Sequence, residues 1–87
     1  MDEPNPEFSL YPNPTEYQVT LNFSLDNTTK PSLVSVITLN GKMVEEFIVK
    51  NQDQFILNLG HLPSSTYLIQ VTFEDGSVVT ERVQIVD

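Results

Sequence analysis

Hydrophobic and polar residues alternate along several short stretches of this chain. Between residues 18 and 25, Val19, Leu21, Phe23 and Leu25 fall on one face and polar residues separate them. A period of two is typical of a strand with one buried face. The same kind of pattern predicts strands at residues 7–11, 18–25, 33–39, 42–49, 54–59, 66–73 and 78–86.

Turn residues separate the predicted strands. Asn40 and Gly41 stand between two apolar runs and predict a hairpin with a type I′ turn, which needs positive φ at both central residues. Residues 74–77 contain Gly76 and predict a second tight turn. Because the strands are short, regularly spaced and uninterrupted by a helical period, the pattern indicates an antiparallel β-sandwich of about seven strands.

The alternation also predicts the core of the sandwich. Side chains that share the apolar face of each strand should meet between two facing sheets. The predicted core residues are Val19, Leu21, Phe23, Val34, Val36, Leu57, Leu59, Tyr67, Ile69 and Val71, and Phe55 and Phe73 are also expected to face inwards.

Length and charge narrow the class of protein. The 87 residues allow one domain, and the net charge is −8 with 12 acidic and 4 basic residues. Nucleic acid is therefore not expected as a partner, and an anionic membrane surface would repel the chain. No apolar run approaches the roughly 20 residues that span a bilayer, so direct membrane insertion is not expected.

The two ends of the chain differ in composition. Residues 1–7 are acidic and rich in proline, and they lack the positively charged region and the apolar region of a signal peptide. This composition predicts a linker or an expression remnant. Residues 8–87 are expected to form the folded domain. The absence of cysteine means that packing, without disulfides, must stabilise it.

Candidate chemistry is sparse. His61 is the only histidine, lies in a predicted connection, and is expected to be exposed or bonded to the backbone. One histidine without cysteine supplies neither a nucleophilic triad nor a zinc or copper site. Oxygen ligands for calcium could come from the predicted turns at residues 26–27 and 74–75, but no Asp-x-Asp-x-Asp-Gly loop is present and turn chemistry is the better explanation of these residues.

Two further features argue against a catalytic site or a cofactor. The glycines are few and each is explained by a turn, so no phosphate-binding loop is expected. Glu45 and Glu46 are neighbours on a predicted strand and therefore point to opposite faces, which suits a charged edge strand better than a pair of catalytic carboxylates. The sequence thus predicts a protein that is not an enzyme and binds no cofactor.

Several short motifs occur in a characteristic order. They are residues 8–15 (FSLYPNPT), 34–36 (VSV), 39–42 (LNGK), 57–59 (LNL), 62–63 (LP), 67–71 (YLIQV) and a final strand. In this order they resemble the type A C-terminal sorting domain of the type IX (Por) secretion system of Bacteroidota. The resemblance covers residues 8 to 86, nearly the whole chain.

The resemblance implies an immunoglobulin-like β-sandwich that directs an N-terminal cargo domain of the same chain across the outer membrane. Its implied partners are the outer-membrane translocon and a sortase-like peptidase that typically removes the domain. The implied location, reached through the periplasm, is the surface or surroundings of a Gram-negative bacterium. Candidate partner-recognition residues lie in the Pro-rich segment (residues 11–15), the Asn-Gly turn and the last strand: Tyr11, Pro12, Asn13, Pro14, Gly41, Lys42, Arg82, Val83 and Ile85.

Two other functions are compatible with a β-sandwich. The first is a structural or adhesive module of a cell-surface protein, which a specific glycan or cell-binding activity would favour. The second is a hydrolytic enzyme, which would need a catalytic pair that the sequence does not offer.

Overall fold

Seven strands follow one another in the part of the chain that the structure describes, as the alternation predicts. A computed structural model describes residues 7–12, 14–23, 29–50 and 52–86. The strands are β1 (Phe8–Tyr11), β2 (Gln18–Phe23), β3 (Pro31–Thr38), β4 (Met43–Ile48), β5 (Gln54–Asn58), β6 (Ser65–Phe73) and β7 (Val78–Ile85). These described ranges contain no helix that could cross a membrane.

The strands form two antiparallel sheets. The smaller sheet has the order β1-β2-β5 and the larger has the order β4-β3-β6-β7. In an immunoglobulin-like domain, β1, β2 and β5 correspond to strands A, B and E, and β3, β6 and β7 to strands C, F and G, with β4 beside strand C. This order confirms the predicted immunoglobulin-like sandwich.

A buried tyrosine supports the same fold. The Tyr67 hydroxyl donates a 2.8 Å hydrogen bond to the carbonyl of Pro63, four residues upstream. Immunoglobulin-like domains often carry such a tyrosine corner near the start of strand F, where the tyrosine hydroxyl bonds back to the backbone before the strand. Tyr67 is 5% exposed, so the bond satisfies a hydroxyl that would otherwise be buried without a partner.

The core lies between the two sheets. Every member of the predicted core set is buried, and Phe73 joins it as expected. Phe55 is only partly buried and packs on Phe47, with ring centroids 5.6 Å apart, because β5 and β4 are edge strands on the same side of the sandwich. Further buried side chains are Phe8, Val49, Val83 and Ile85.

The strand bounds depart from the prediction in small ways. β3 begins at Pro31, two residues earlier than predicted, and Pro31 lies opposite Phe73. Proline is tolerated at the first position of a strand because the ladder there does not require its missing N–H. The predicted end of the second strand at residues 24 and 25 lies outside the described residues.

The hairpin between β3 and β4 is where predicted, but its turn is of a different class. The Thr38 N–H donates to the Lys42 carbonyl (2.8 Å) and the Gly41 N–H donates to the Thr38 carbonyl (2.9 Å). These bonds enclose three loop residues, Leu39 to Gly41, so the type I′ turn with Asn40 and Gly41 as its two loop residues was a wrong prediction. Gly41, at φ 94°, occupies the left-handed position that ends such a three-residue loop.

The charged edge strand is confirmed. β4 lies at one edge of the larger sheet, where Glu46 is exposed and Glu45 faces the interior near the rim. A charge on an edge strand discourages pairing with another sheet, because it would have to be desolvated.

Candidate recognition surface

The sandwich has two ends of different chemistry. The motif end, as defined here, comprises residues 11–12 and 14–17, the tip 39–42, the connection 59–64 and the end of β7 at residues 85–86. The far end comprises residues 7–8, 29–30, 49–50, 52–53 and the turn 74–77. Strand pairing fixes this division, because Tyr11 pairs with Thr20 near the start of β2 and Ser65 pairs with Ile85 at the close of β7.

The Pro-rich segment is tied to the last strand at the motif end. The Thr15 N–H donates to the Gln84 carbonyl (2.9 Å) and the Val86 N–H donates to the Thr15 carbonyl (2.8 Å). Together these bonds form a parallel bridge between Thr15 and Ile85. Because Thr15 lies between two strands of the smaller sheet and Ile85 belongs to the larger one, the bridge joins the sheets.

The side chain of Thr15 fixes the start of β2. Its hydroxyl donates to the Gln18 carbonyl (2.6 Å) and accepts from the Gln18 N–H (3.1 Å). Threonine and serine commonly satisfy nearby backbone groups in this way. Thr15 is 4% exposed, so one residue both closes the Pro-rich segment and links it to β7.

The connection between β5 and β6 packs beside the Pro-rich segment. The Leu59 N–H donates to the Tyr17 carbonyl (2.6 Å), and a Cβ built on Gly60 would lie 3.1 Å from the Cβ of Tyr17. Glycine therefore allows a close approach that a larger residue would push apart. Leu62, in the same connection, packs against the core.

Thr38 holds the tip through four hydrogen bonds. Besides its two backbone bonds in the turn, its hydroxyl accepts from the Lys42 N–H (3.0 Å) and donates to Oδ1 of Asn40. The tip is exposed: Leu39, its first residue, is 60% exposed, and Met43, which follows the tip, is 50% exposed. Hydrogen bonds thus fix the backbone of a tip that exposes Lys42 and the apolar side chain of Leu39.

The candidate residues at positions 11, 12, 14, 41 and 42 are at the surface of the motif end. Tyr11, Pro12, Pro14, Gly41 and Lys42 are all exposed. A shallow depression of about 390 Å³ adjoins the prolines and is lined by Pro12, Pro14, Thr15, Glu16, Tyr17 and Gln18. The remaining candidate of this segment, Asn13, lies outside the described residues.

The candidate residues on β7 differ in how far their side chains are exposed. Arg82 is exposed on the outer face, whereas Val83 and Ile85 are 0% and 3% exposed. The alternation of the strand explains this, since every second side chain points into the core. A partner at β7 would therefore contact Arg82 and the strand edge rather than the side chains of Val83 and Ile85.

His61 is exposed, as expected, but its contact is with a side chain. Its Nε2 lies 2.8 Å from Oε2 of Glu45, and the pair connects the β5–β6 connection to β4. Within the described part of the chain, no group of three or more histidine, cysteine, aspartate or glutamate side chains is arranged to hold a metal ion.

Sequence reasoning missed three residues that organise the motif end: Thr15, Thr38 and Gly60. Thr15 carries a local signal, because a threonine three residues before the start of a strand can bond to the backbone there. Thr38 and Gly60 had no comparable signal. Their roles depend on which segments the fold brings beside them.

The motif order and the fold can both be compared with known proteins. Residues 9–86 match the model of a family described as the secretion system C-terminal sorting domain. The chain belongs to this family of type IX sorting domains. The sorting domain therefore acts as the C-terminal secretion signal of the type IX system, as its motif order implied, and this supports sorting over an adhesive or structural role.

The fold of this sorting domain also has a counterpart among solved structures. It is similar to the crystal structure of CopC from Methylosinus trichosporium OB3b, with a TM-score of 0.51 and 21% sequence identity over 91% of each chain. At this identity the similarity concerns the fold alone. Comparison with curated proteins gives no significant match.

Proposed function

We propose that the motif end is the surface by which the type IX translocon recognises this sorting domain. The observation that carries the proposal is the clustering of the Pro-rich segment, the tip and the end of β7 at one end of the sandwich. These segments are far apart in sequence, so a partner that recognises them together must recognise the folded domain.

The chemistry of the motif end suits a protein partner. Tyr17 and Leu39 are 58% and 60% exposed there, and Pro12 and Pro14 are exposed beside Tyr17. Exposed aromatic and apolar side chains around a few polar groups are typical of the centre of a protein interface. Lys42 would add one charged contact at the tip.

We further propose that the cargo is attached at the far end. β1 runs from Phe8 at the far end to Tyr11 at the motif end, so a chain that precedes Phe8 reaches the domain on the side away from the motif end. Residues 1–7 would serve as the linker, and 8–87 as the domain. A sortase-like peptidase could then release the cargo without access to the recognition surface.

On this proposal the domain acts by binding and carries out no reaction of its own. The cargo would pass through the periplasm and reach the cell surface or the exterior of a Gram-negative bacterium. A catalytic role would require a nucleophile and a base in contact, and His61 contacts only Glu45 in the bonds described above.

Secretion of a fluorescent carrier tests the proposal. The carrier would bear a Sec signal at its N-terminus and residues 1–87 at its C-terminus, in a host that has the type IX system. We expect fluorescence in the medium or on the surface. A wild-type fusion that stays in the periplasm would contradict the sorting function itself.

A matched pair of variants then locates the surface. Tyr11→Ser with Lys42→Glu changes the motif end, and Ile48→Ser with Lys50→Glu makes similar changes in and beside β4 towards the far end. All four side chains are exposed, so thermal unfolding should remain close to that of the wild type. We expect a roughly tenfold loss of export for the first variant only, equivalent to about 1.4 kcal/mol of binding. Equal export of both variants would overturn the proposed location and leave the sorting function standing.

A further inference from the structure

The tip between β3 and β4 contains a reactive pair of residues. Asn40 is exposed and is followed directly by Gly41, which has no side chain to hinder its backbone nitrogen. In an Asn-Gly pair, that nitrogen can attack the side-chain carboxamide of the asparagine. Asparagine is for this reason among the thermolabile residues of proteins.

In the folded domain, both reacting groups are hydrogen-bonded to Thr38. The Gly41 N–H, which would supply the nucleophile, donates to the Thr38 carbonyl at 2.9 Å. The Asn40 carboxamide, which would be attacked, accepts a hydrogen bond from the Thr38 hydroxyl through Oδ1. The same hydroxyl accepts from the Lys42 N–H at 3.0 Å, so its orientation is set by the hairpin.

We propose that Asn40 is a deamidation site. Thr38 slows the reaction in the folded domain, and the reaction becomes fast when the hydrogen bonds of the hairpin tip break. To react, the Gly41 nitrogen must leave the Thr38 carbonyl and approach Cγ of Asn40. The carboxamide must also rotate away from the Thr38 hydroxyl. Each hydrogen bond that has to break lowers the population of the reactive geometry.

The reaction needs only water. The Gly41 nitrogen loses its proton to solvent and forms a bond to Cγ of Asn40. The bond from Cγ to the side-chain nitrogen breaks, and this nitrogen takes up a proton from solvent and leaves as ammonia. Water then opens the five-membered imide at either carbonyl. The product is aspartate at position 40, or isoaspartate, in which the backbone continues through Cβ. No atom is oxidised or reduced.

Either product changes the tip. Both add one negative charge two residues before Lys42. Isoaspartate also lengthens the backbone within the three-residue loop, so the bonds from Thr38 to Gly41 and Lys42 cannot both keep their geometry. A deamidated Asn40 would thus show that the hydrogen bonds of the hairpin tip had been broken in that molecule. This chemistry holds whether or not the motif end is the recognition surface.

Peptide mapping by mass spectrometry tests the proposal on residues 1–87. Folded protein and protein in concentrated urea are incubated at mildly alkaline pH, and the fraction of acid or isoaspartate at position 40 is followed over time. We expect at least roughly tenfold slower deamidation in the folded state, because two hydrogen bonds must open first. Equal rates in the two states would overturn the protection.

Variants of Thr38 separate its hydroxyl from the rest of the fold. Thr38→Val removes the hydroxyl with little change in shape, and Thr38→Ser retains it. In the folded state we expect several-fold faster deamidation for Thr38→Val and the wild-type rate for Thr38→Ser, with no difference among the three in urea. A wild-type rate for folded Thr38→Val would contradict the role of the hydroxyl.

Two controls keep the test decisive. Circular dichroism confirms that each variant is folded during incubation, and the comparison of folded and unfolded wild type stands even where a variant loses its fold. Asn58 is the internal reference, because it is exposed but precedes Leu59, whose side chain hinders the same attack. Deamidation of Asn58 as fast as that of Asn40 in urea would contradict the role of Gly41.

Discussion

The two ends of the sandwich are closed by different interactions. At the far end, Phe23 packs on Phe8 (6.2 Å between centroids) and edge-on against Phe73 of the other sheet (6.5 Å). At the motif end, backbone hydrogen bonds from Thr15 to the end of β7 join the sheets. Between the two sheets, the far end is thus closed by packing of aromatic rings, and the motif end is closed by backbone hydrogen bonds beside an exposed surface.

This difference suits the proposed function, in which one end of a stable domain is the recognition surface. Apolar rings tolerate small shifts, because their attraction has little directionality. Hydrogen bonds fix positions more narrowly, since they weaken steeply with distance and angle. At the motif end, hydrogen bonds therefore set the position of one sheet relative to the other.

The largest expected effect is at the far end. Phe23→Ala should lower the free energy of unfolding by about 3–5 kcal/mol, because it removes a buried ring that contacts both sheets. Urea denaturation gives the value. Phe55→Ala, on a partly buried ring at the sandwich rim, is the matched control and should cost less. If the two substitutions cost the same, the ring cluster is not what closes the far end.

A smaller effect is expected from the side chain of Thr15, next to the bridge at the motif end. Thr15→Val should cost about 1–3 kcal/mol, because the Gln18 N–H and carbonyl lose their side-chain partner in a half-buried place. Thr15→Ser keeps the hydroxyl and should lose less. Amide hydrogen exchange should speed up at Gln18 and Val86 in the valine variant. Unchanged protection there would contradict the role given to Thr15.

The two hairpin turns provide a direct comparison of the ends. Gly41 and Gly76 have φ angles of 94° and 91°, and the N–H of each donates a hydrogen bond to the carbonyl of the residue three positions earlier. A Cβ added to either glycine would contact no other atom. Gly→Ala should therefore lower the free energy of unfolding by about 1–2 kcal/mol at either site, through backbone strain alone. Thermal unfolding should therefore show similar losses.

Export should separate these two variants. Gly41→Ala alters the tip of the proposed recognition surface, whereas Gly76→Ala lies at the far end. At a temperature where both remain folded, we expect reduced secretion for Gly41→Ala only. Equal reductions would mean that loss of stability, rather than the position of the turn, limits export.

The smallest effect concerns the far-end turn. Hydrogen bonds from the Ser77 hydroxyl and backbone lower the pKa of Asp75 below its usual 3.8. Since the folded pKa is depressed, the stabilisation is fully present above 3.8 and is lost as the pH falls through the folded value. Asp75→Asn should therefore be slightly less stable than the wild type at neutral pH, and the difference should shrink in strong acid. Thermal melts at both pH values give the comparison. A gap that widened in acid would contradict this assignment.

The alternation of side chains was sufficient to predict the strands and the core, because burial of one face imposes a period of two wherever it occurs. The turn of the β3–β4 hairpin was harder. Asn40 and Gly41 suit a two-residue loop, yet the observed loop includes Leu39 and uses the positive φ of Gly41 equally well. A local pair of residues specifies that a hairpin forms more firmly than it specifies the register of its turn.

The candidate surface could not be predicted from any single segment of the sequence. The motifs identify Pro12, Pro14 and Lys42, but only the pairing of strands places them at the same end of the molecule. The alternation within β7 could have separated exposed Arg82 from buried Val83 and Ile85 before the fold was known.

The bridge between Thr15 and Ile85 also has a consequence for the order of folding. Its partners lie near opposite ends of the sequence, so forming it requires closure of nearly the longest loop that the chain allows. When the chain appears from its N-terminus onwards, the Pro-rich segment must wait for the last strand before it can be fixed. The motif end is therefore completed only when the whole domain is present, and a chain shortened before Gln84 would lack it.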